Sequence, residues 1–194
     1  MAESFEPRLV KKSEYNSLKQ LFNLCFGDSQ ESINSFFEKT VSCDNVVAIF
    51  DGEKAISSLY LLDAEIINKG VISSAYYVYG VCTHPEYRNK GLMRKLFDFT
   101  EKLVVQRNIK YLFLVPEDEH LFKAYEKLGF ETGFSYTEKI FDFNENLINS
   151  GFYKNGIEYN QYRDFCIEKG KTTTVAVLKE RGFNSFFESV TGDV

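Results

Sequence analysis

Four cations, Arg88, Lys90, Arg94 and Lys95, stand within eight residues of a chain whose formal net charge is -5. They surround Gly91, where the pattern predicts a helix start. Unpaired backbone N–H groups and the macrodipole favour an anion at such a place. Gly91 has no Cβ, so a ligand can approach the main chain there. These residue types suit a phosphate or pyrophosphate cradle. They equally suit a basic helix N-terminus with a solvated face, and spacing alone leaves both readings open. The loop is not a Walker A motif, because no Gly-Lys-Ser/Thr follows, and a single glycine makes no dinucleotide fingerprint. Other groups able to do chemistry are scattered. Asp63 and Glu65 stand two apart on a predicted strand and share a face. Glu117, Asp118, Glu119 and His120 form a polar run. Cys82 and His84 would share a face of a continued strand, as a nucleophile and base require, but Pro85 interrupts that geometry. Two histidines without spaced partners argue against a catalytic zinc site.

The elements that must position these groups follow from periodicity. Residues 75–83 form an uncharged run rich in Tyr and Val, as in a strand covered on both faces. After Pro85 and the basic turn, Leu92, Leu96, Phe99 and Leu103 recur at helical spacing, with charges opposite. Residues 111–115 are a short apolar strand closed by Pro116. Strand, helix and strand in this order predict a parallel pair joined by a right-handed crossover. Ligands of such sheets sit beyond the carboxyl ends of the strands, where the basic loop and residues 116–120 both lie. A helix over 119–128 follows, with Leu121, Tyr125 and Leu128 on one side and Gly129 at its end. On these grounds alone Tyr125 is a core residue of an amphipathic helix.

Arg88-Asn89-Lys90-Gly91-Leu92-Met93 resembles the coenzyme A pyrophosphate loop of the GNAT N-acetyltransferase superfamily, Gln/Arg-x-x-Gly-x-Gly/Ala. Val81-Cys82-Thr83-His84-Pro85-Glu86-Tyr87 is similar to that family's approach to the loop. Met93 departs from the pattern, standing where Gly or Ala is usual. Tyr125-Glu126-Lys127-Leu128-Gly129-Phe130 resembles a second GNAT element, in which a helix tyrosine faces the coenzyme thiol. The resemblance covers residues 71–143, and the first 70 only in element order. It implies acetyl-CoA as co-substrate, held by Val81, Cys82, Thr83, Arg88, Asn89, Lys90, Gly91, Leu92, Met93 and Arg94. The pantetheine arm would lie between two diverging strands and pair with the central one, with Gly80 giving it room. An N–H near Val81 or Cys82 would serve the oxyanion, and Tyr125 would act as general acid to the departing thiolate. The residues leave the base open: Glu65 is the candidate named, with Asp63, Glu117, Asp118, Glu119, His120 and an ordered water as alternatives. No metal is implied.

The rest of the chain fits that frame. Residues 8–10 are a short strand. Ser13 is placed to cap a first helix carrying Leu18, Leu21, Phe22 and Cys25, which Gly27 stops. Asp28 and Glu31 have capping-box spacing for a second helix with Ile33, Phe36 and Phe37 inward. Strands over 45–50 and 54–68 are joined by an Asp51-Gly52 turn, and Lys69-Gly70 turns the chain again. Beyond it, 131–143 reads as a strand, 144–156 as a loop, 157–169 as a helix and 172–178 as a strand. The expected fold is α/β: a mixed, centrally parallel twisted sheet, helices on both faces, and splayed central strands. Residues 1–143 would form the acetyl-CoA-binding core and 144–194 would complete the same domain.

No window approaches the roughly 18 apolar residues of a membrane span, and the N-terminus lacks the pattern of a signal peptide. Four cysteines without a Cys-x-x-Cys pair suit free thiols in a cytoplasm. An acidic chain is a poor candidate for nucleic acid binding, and no membrane partner is expected. The expected activity is acetyl transfer from acetyl-CoA to a primary amine by direct attack in a ternary complex, with a homodimer left open. The alternatives are a non-catalytic acyl-CoA sensor and a hydrolase or ligase using the loop for a nucleotide.

Overall fold

The computed structural model describes residues 5–133, 174–178 and 186–188. Two compact units divide the chain: Met1–Asp63 with Ala75–Phe130, and Ala64–Ser74 with Glu131–Val194. The boundary expected at 143/144 lies outside the described residues, as do the loop and helix expected over 144–169 and most of the strand expected over 131–143.

In the first unit β1 (Arg8–Leu9), β2 (Val46–Asp51) and β3 (Lys54–Asn68) are antiparallel neighbours. β4 (Val71–Thr83) follows β3, and β5 (Tyr111–Phe113) lies parallel to β4. Strands β3 and β4 are long enough to contribute to both units. Alternation along them sorts the core onto two faces. Val47, Leu59, Leu61, Tyr76 and Val78 pack in one cluster with Leu92, Leu96, Phe97 and Leu103 of α3 (Leu92–Gln106) and Tyr125 of α4 (Glu119–Glu126). On the other face Tyr60 meets α1 (Tyr15–Phe26) and α2 (Gln30–Lys39), with ring centroids 5.6 Å from Phe22, 5.4 Å from Phe36 and 5.7 Å from Phe37. Helices therefore cover both faces, as the apolar strands required. In the second unit β6 (Thr174–Leu178) pairs antiparallel with β3 over Ala64–Asn68, and β7 (Phe186–Glu188) pairs with β6.

The local signals hold with small shifts. Ser13 does not cap α1. It lies in a 3-10 turn, Lys12–Glu14, where the Glu14 carboxylate accepts the Lys11 N–H at 2.7 Å and Arg8 pairs with Glu14 at 2.6 Å. The cap of α2 is Ser29 rather than Asp28, its Oγ accepting from Ser32 N–H at 3.1 Å. The first hairpin turns on Gly52 and Glu53, because Asp51 is still paired with Lys54, and Gly52 takes φ 57. At the second, Lys69 and Gly70 are both left-handed, the twist that suits a two-residue hairpin. β5 ends at Phe113, two residues before the predicted end.

Candidate functional site

That early end opens the sheet. The parallel register runs from Ala75 opposite Tyr111 to Tyr77 opposite Phe113, whereas β4 continues to Thr83. β4 and β5 therefore part company over the last six residues of β4. Val81 packs half-buried on the core and Cys82 is buried. The Thr83 hydroxyl shares a hydrogen bond of 2.7 Å with Ser57. His84 N–H closes the strand end onto the Ile56 carbonyl at 2.8 Å.

Pro85 then opens a 3-10 turn, Pro85–Tyr87, which the Tyr87 hydroxyl anchors by donating to Asp51 at 2.5 Å. The chain reaches α3 through left-handed Asn89 (φ 62) and Gly91 (φ 73). Gly91 is the N-cap of α3, and no side chain caps that helix. Ser29 caps α2 and Asp118 caps α4, accepting from Leu121 N–H at 2.9 Å, while α1, like α3, has no side-chain cap. The leading amides of α3, which lack intrahelical partners by construction, are thus left for solvent or a ligand. A Cβ on Gly91 would meet nothing within 4 Å, so the glycine is required by its backbone hand rather than by crowding.

The four cations divide into two pairs. Arg88 and Lys90 are exposed at the loop, Arg88 Nε donating to the Thr83 carbonyl at 3.2 Å and Lys90 Nζ lying 4.7 Å over the Tyr87 ring. Arg94 instead hydrogen-bonds the Lys127 carbonyl at the end of α4, and Lys95 bonds the Phe5 carbonyl at 2.8 Å. Leu92 is buried and Met93 packs half-buried against the core cluster, so the larger side chain at the departing position is turned inward.

Tyr125 is held on α4 by rings. Phe97 and Phe130 meet it edge-on, each with its centroid 5.9 Å away. It is 8% exposed, and burial pushes its hydroxyl up to about 12. Glu65 lies half-buried on β3 in the second unit, opposite Val177 of β6. Asp63, Glu117, Asp118, Glu119 and His120 are exposed, Asp118 being consumed as the α4 cap. Cys82 and His84 do not form a pair. Cys82 Sγ lies 3.4 Å from Ser58 Oγ, while His84 Nδ1 accepts from Glu86 N–H and its ring meets Tyr87.

Gly80 has a packing role on the α1 face of the sheet. It is left-handed within β4 (φ 58), and a Cβ there would stand 2.9 Å from Phe22 Cε2 and 3.0 Å from Tyr60 Cδ2. Its missing side chain is taken up by α1 packing. Cys25, which no sequence signal connected to the loop, donates from Sγ to the Thr83 carbonyl at 3.8 Å. Among the described residues no group of three or more His, Cys, Asp or Glu is placed to hold a metal ion, and no helix is long and apolar enough to cross a membrane.

Solved structures share this fold. A GCN5-related N-acetyltransferase from Anabaena variabilis superposes with TM-score 0.56 at 19% identity, over 62% of this chain and 31% of its own, so the chain spans about a third of that protein. A glucosamine-6-phosphate N-acetyltransferase from Arabidopsis thaliana gives TM-score 0.57 at 19% identity over 72% of this chain and 100% of its own. AAC(6')-Iy, solved with a bisubstrate analogue of coenzyme A and acetylneamine, gives 0.56 at 17% over 74% and 99%. None of the curated proteins matches the chain significantly. Residues 6–133 match the family described as the acetyltransferase (GNAT) domain, which takes in the opened strands, the uncapped helix and Tyr125 together. The chain belongs to the GNAT acetyltransferase family.

Proposed function

We propose that this chain moves an acetyl group from acetyl-CoA to a primary amine by direct attack in a ternary complex. The observation that carries the reading is the uncapped start of α3, set at the end of a strand that outruns its parallel neighbour. A diphosphate at those amides would gain the Arg88 and Lys90 charges. The pantetheine arm could then run along the last residues of β4 as an added strand does. Val81, Cys82, Thr83, Asn89, Leu92 and Met93 contribute main chain. Arg94 contributes by fixing α4, which carries Tyr125, through the Lys127 carbonyl.

The chemistry needs a neutral amine, an oxyanion donor and a thiolate that can leave. Holding both substrates in one geometry supplies much of the rate. An amide of Val81 or Cys82 is the proposed donor to the oxyanion. The Tyr125 hydroxyl, raised by burial and so fully protonated at neutral pH, donates to the sulfur as charge builds on it. Glu65 is the proposed acceptor of the amine proton, on its residue type and strand position. Attack through an acyl-Cys82 intermediate is disfavoured, because the hydrogen bond with Cys25 and burial push the Cys82 thiol well above its ordinary value.

The test is calorimetry with acetyl-CoA, followed by thiol release against a panel of primary amines. Binding should be lost in Arg88→Glu and Gly91→Asp with the fold intact. Tight binding by either variant overturns the loop assignment. Coenzyme binding with no turnover on any amine, and no effect of Tyr125→Phe, would replace the enzyme by a sensor.

A further inference from the structure

The last residues of β4 do not keep the alternation of a regular strand. Tyr76 and Val78 pack on the α3 side, while the Tyr79 ring stands 6.3 Å from Phe22 and 5.3 Å from Phe36, on the side of α1 and α2. Gly80 should then return to the α3 side. Instead its Cβ position meets Phe22 and Tyr60, and Val81 is the residue that packs with the α3 cluster. Two successive residues on one face, the second left-handed, act as a bulge does and re-aim their neighbours. The reversal falls just beyond Tyr77, the last position of β4 paired with β5. Where the sheet opens, a run of rings therefore lines the α1 face: Phe26, Phe22, Phe36, Tyr79 and Tyr77. Centroid spacings along it are 4.6, 5.5, 5.3 and 6.1 Å. Phe26 is 41% exposed, and Phe36, Tyr79 and Tyr77 are half-buried.

The charge beside these rings is negative. Residues 20–38 hold Asp28, Glu31 and Glu38 and no Lys or Arg. Lys19, next to that stretch, is bonded to Asn34 at 2.8 Å. Asp28 is exposed in the α1–α2 connection, two residues after Phe26, and Ser29 rather than Asp28 caps α2. The opposite face of the opened sheet is filled, because Tyr125 packs there with α3, on the side assigned to the departing sulfur. An amine attacking the thioester carbonyl is left the Tyr79 face to enter by. On the acetyl-transfer reading, on which this inference rests, we propose that the acceptor is a primary amine carried on an aromatic body, its ring against Phe26, Phe36 and Tyr79 and its charge drawn in by Asp28. Ring faces and edges suit both parts of such a molecule: they attract an ammonium and pack a second ring in offset or edge-on contact. The ammonium first sheds one proton to water. The nitrogen then bonds the acetyl carbon, the carbon–sulfur bond breaks, and the second proton lost by nitrogen ends on the coenzyme sulfur. R–NH2 and acetyl-CoA give R–NH–COCH3 and the free coenzyme thiol.

The full-length protein is assayed by thiol release from acetyl-CoA with phenethylamine, hexylamine and glucosamine. The expected kcat/KM for phenethylamine is about 10-fold or more above that for either other amine. Tyr79→Ala should raise KM for phenethylamine about 10-fold, with the Kd of acetyl-CoA unchanged by calorimetry. Should that variant fail to fold, Phe26→Ser and Asp28→Asn, both at exposed positions, decide the matter, each raising the same KM about 2- to 5-fold. Equal use of hexylamine or glucosamine, or an unchanged KM in both exposed variants, overturns the acceptor class and leaves acetyl transfer standing. Coenzyme binding without thiol release on any amine overturns acetyl transfer itself, and the acceptor with it.

Discussion

Replacing Tyr125 by Phe removes one hydroxyl and keeps the ring that Phe97 and Phe130 hold edge-on, so the α4 packing should survive. The size of the kinetic effect follows from burial. The hydroxyl stands at about 12, and a free thiol titrates near 8.5. Complete proton transfer from Tyr125 to the leaving thiolate is therefore uphill by roughly 3.5 pKa units, or about 5 kcal/mol. Tyr125 accordingly stabilises the departing sulfur as a hydrogen-bond donor, and water finishes the protonation. A hydrogen bond to a charged group contributes about 1.5–3 kcal/mol. That corresponds to a loss of about 10- to 150-fold in kcat, with KM for acetyl-CoA nearly unchanged, since the bond strengthens only as the thioester breaks. Steady-state thiol release, followed against pH, measures both parameters. The wild-type rate should show no alkaline loss from Tyr125 ionisation below about pH 11. Wild-type kcat in Tyr125→Phe would refute the role. A wild-type alkaline limb centred between 8 and 10, and missing from the variant, would refute the argument from burial.

The same hydroxyl has a stability signature. Its folded pKa lies above its unfolded value near 10, so the folded state keeps a proton that the unfolded chain sheds. Stability should fall as pH rises from about 10 to about 12, by up to roughly 3 kcal/mol from this group, and urea denaturation of Tyr125→Phe should show a shallower fall. Two glycine substitutions separate backbone hand from crowding. Gly91→Ala, left-handed but in open space, should cost about 1–2 kcal/mol, while Gly80→Ala adds collision with Phe22 and Tyr60 and should cost about 2–5 kcal/mol. Equal losses in thermal melts would mean that Phe22 moves aside freely. Arg94→Ala, which frees the Lys127 carbonyl, should lower kcat more than it weakens acetyl-CoA binding, whereas Arg88→Glu should do the reverse. Calorimetry beside steady-state rates distinguishes the two. Glu65→Gln should lower kcat if Glu65 takes the amine proton, and an unchanged kcat would return the role to water.

Among the described residues, which segments are strands and helices, and where most of them turn, was legible from the order of residue types, because apolar periodicity and turn chemistry act over a few residues. Residues 75–83, the Lys69-Gly70 turn and the Gly27 helix end were legible in this way, whereas α4 stops at Glu126, two residues before the expected end at 128. The basic loop was legible too, since its cations and glycine are contiguous. Periodicity had no means of fixing the length of β5, because a parallel strand lasts only as long as its partner stays alongside, and that partner is remote in sequence. Only the tertiary structure decided that β5 leaves β4 after Phe113, opening the sheet. It likewise divided four similar cations into two at the loop and two holding other segments, a matter of which carbonyls folding brings within reach. And it set Cys25 against the Thr83 carbonyl and Gly80 under Phe22, because residues distant along the chain meet only when α1 packs onto the face that carries Tyr60.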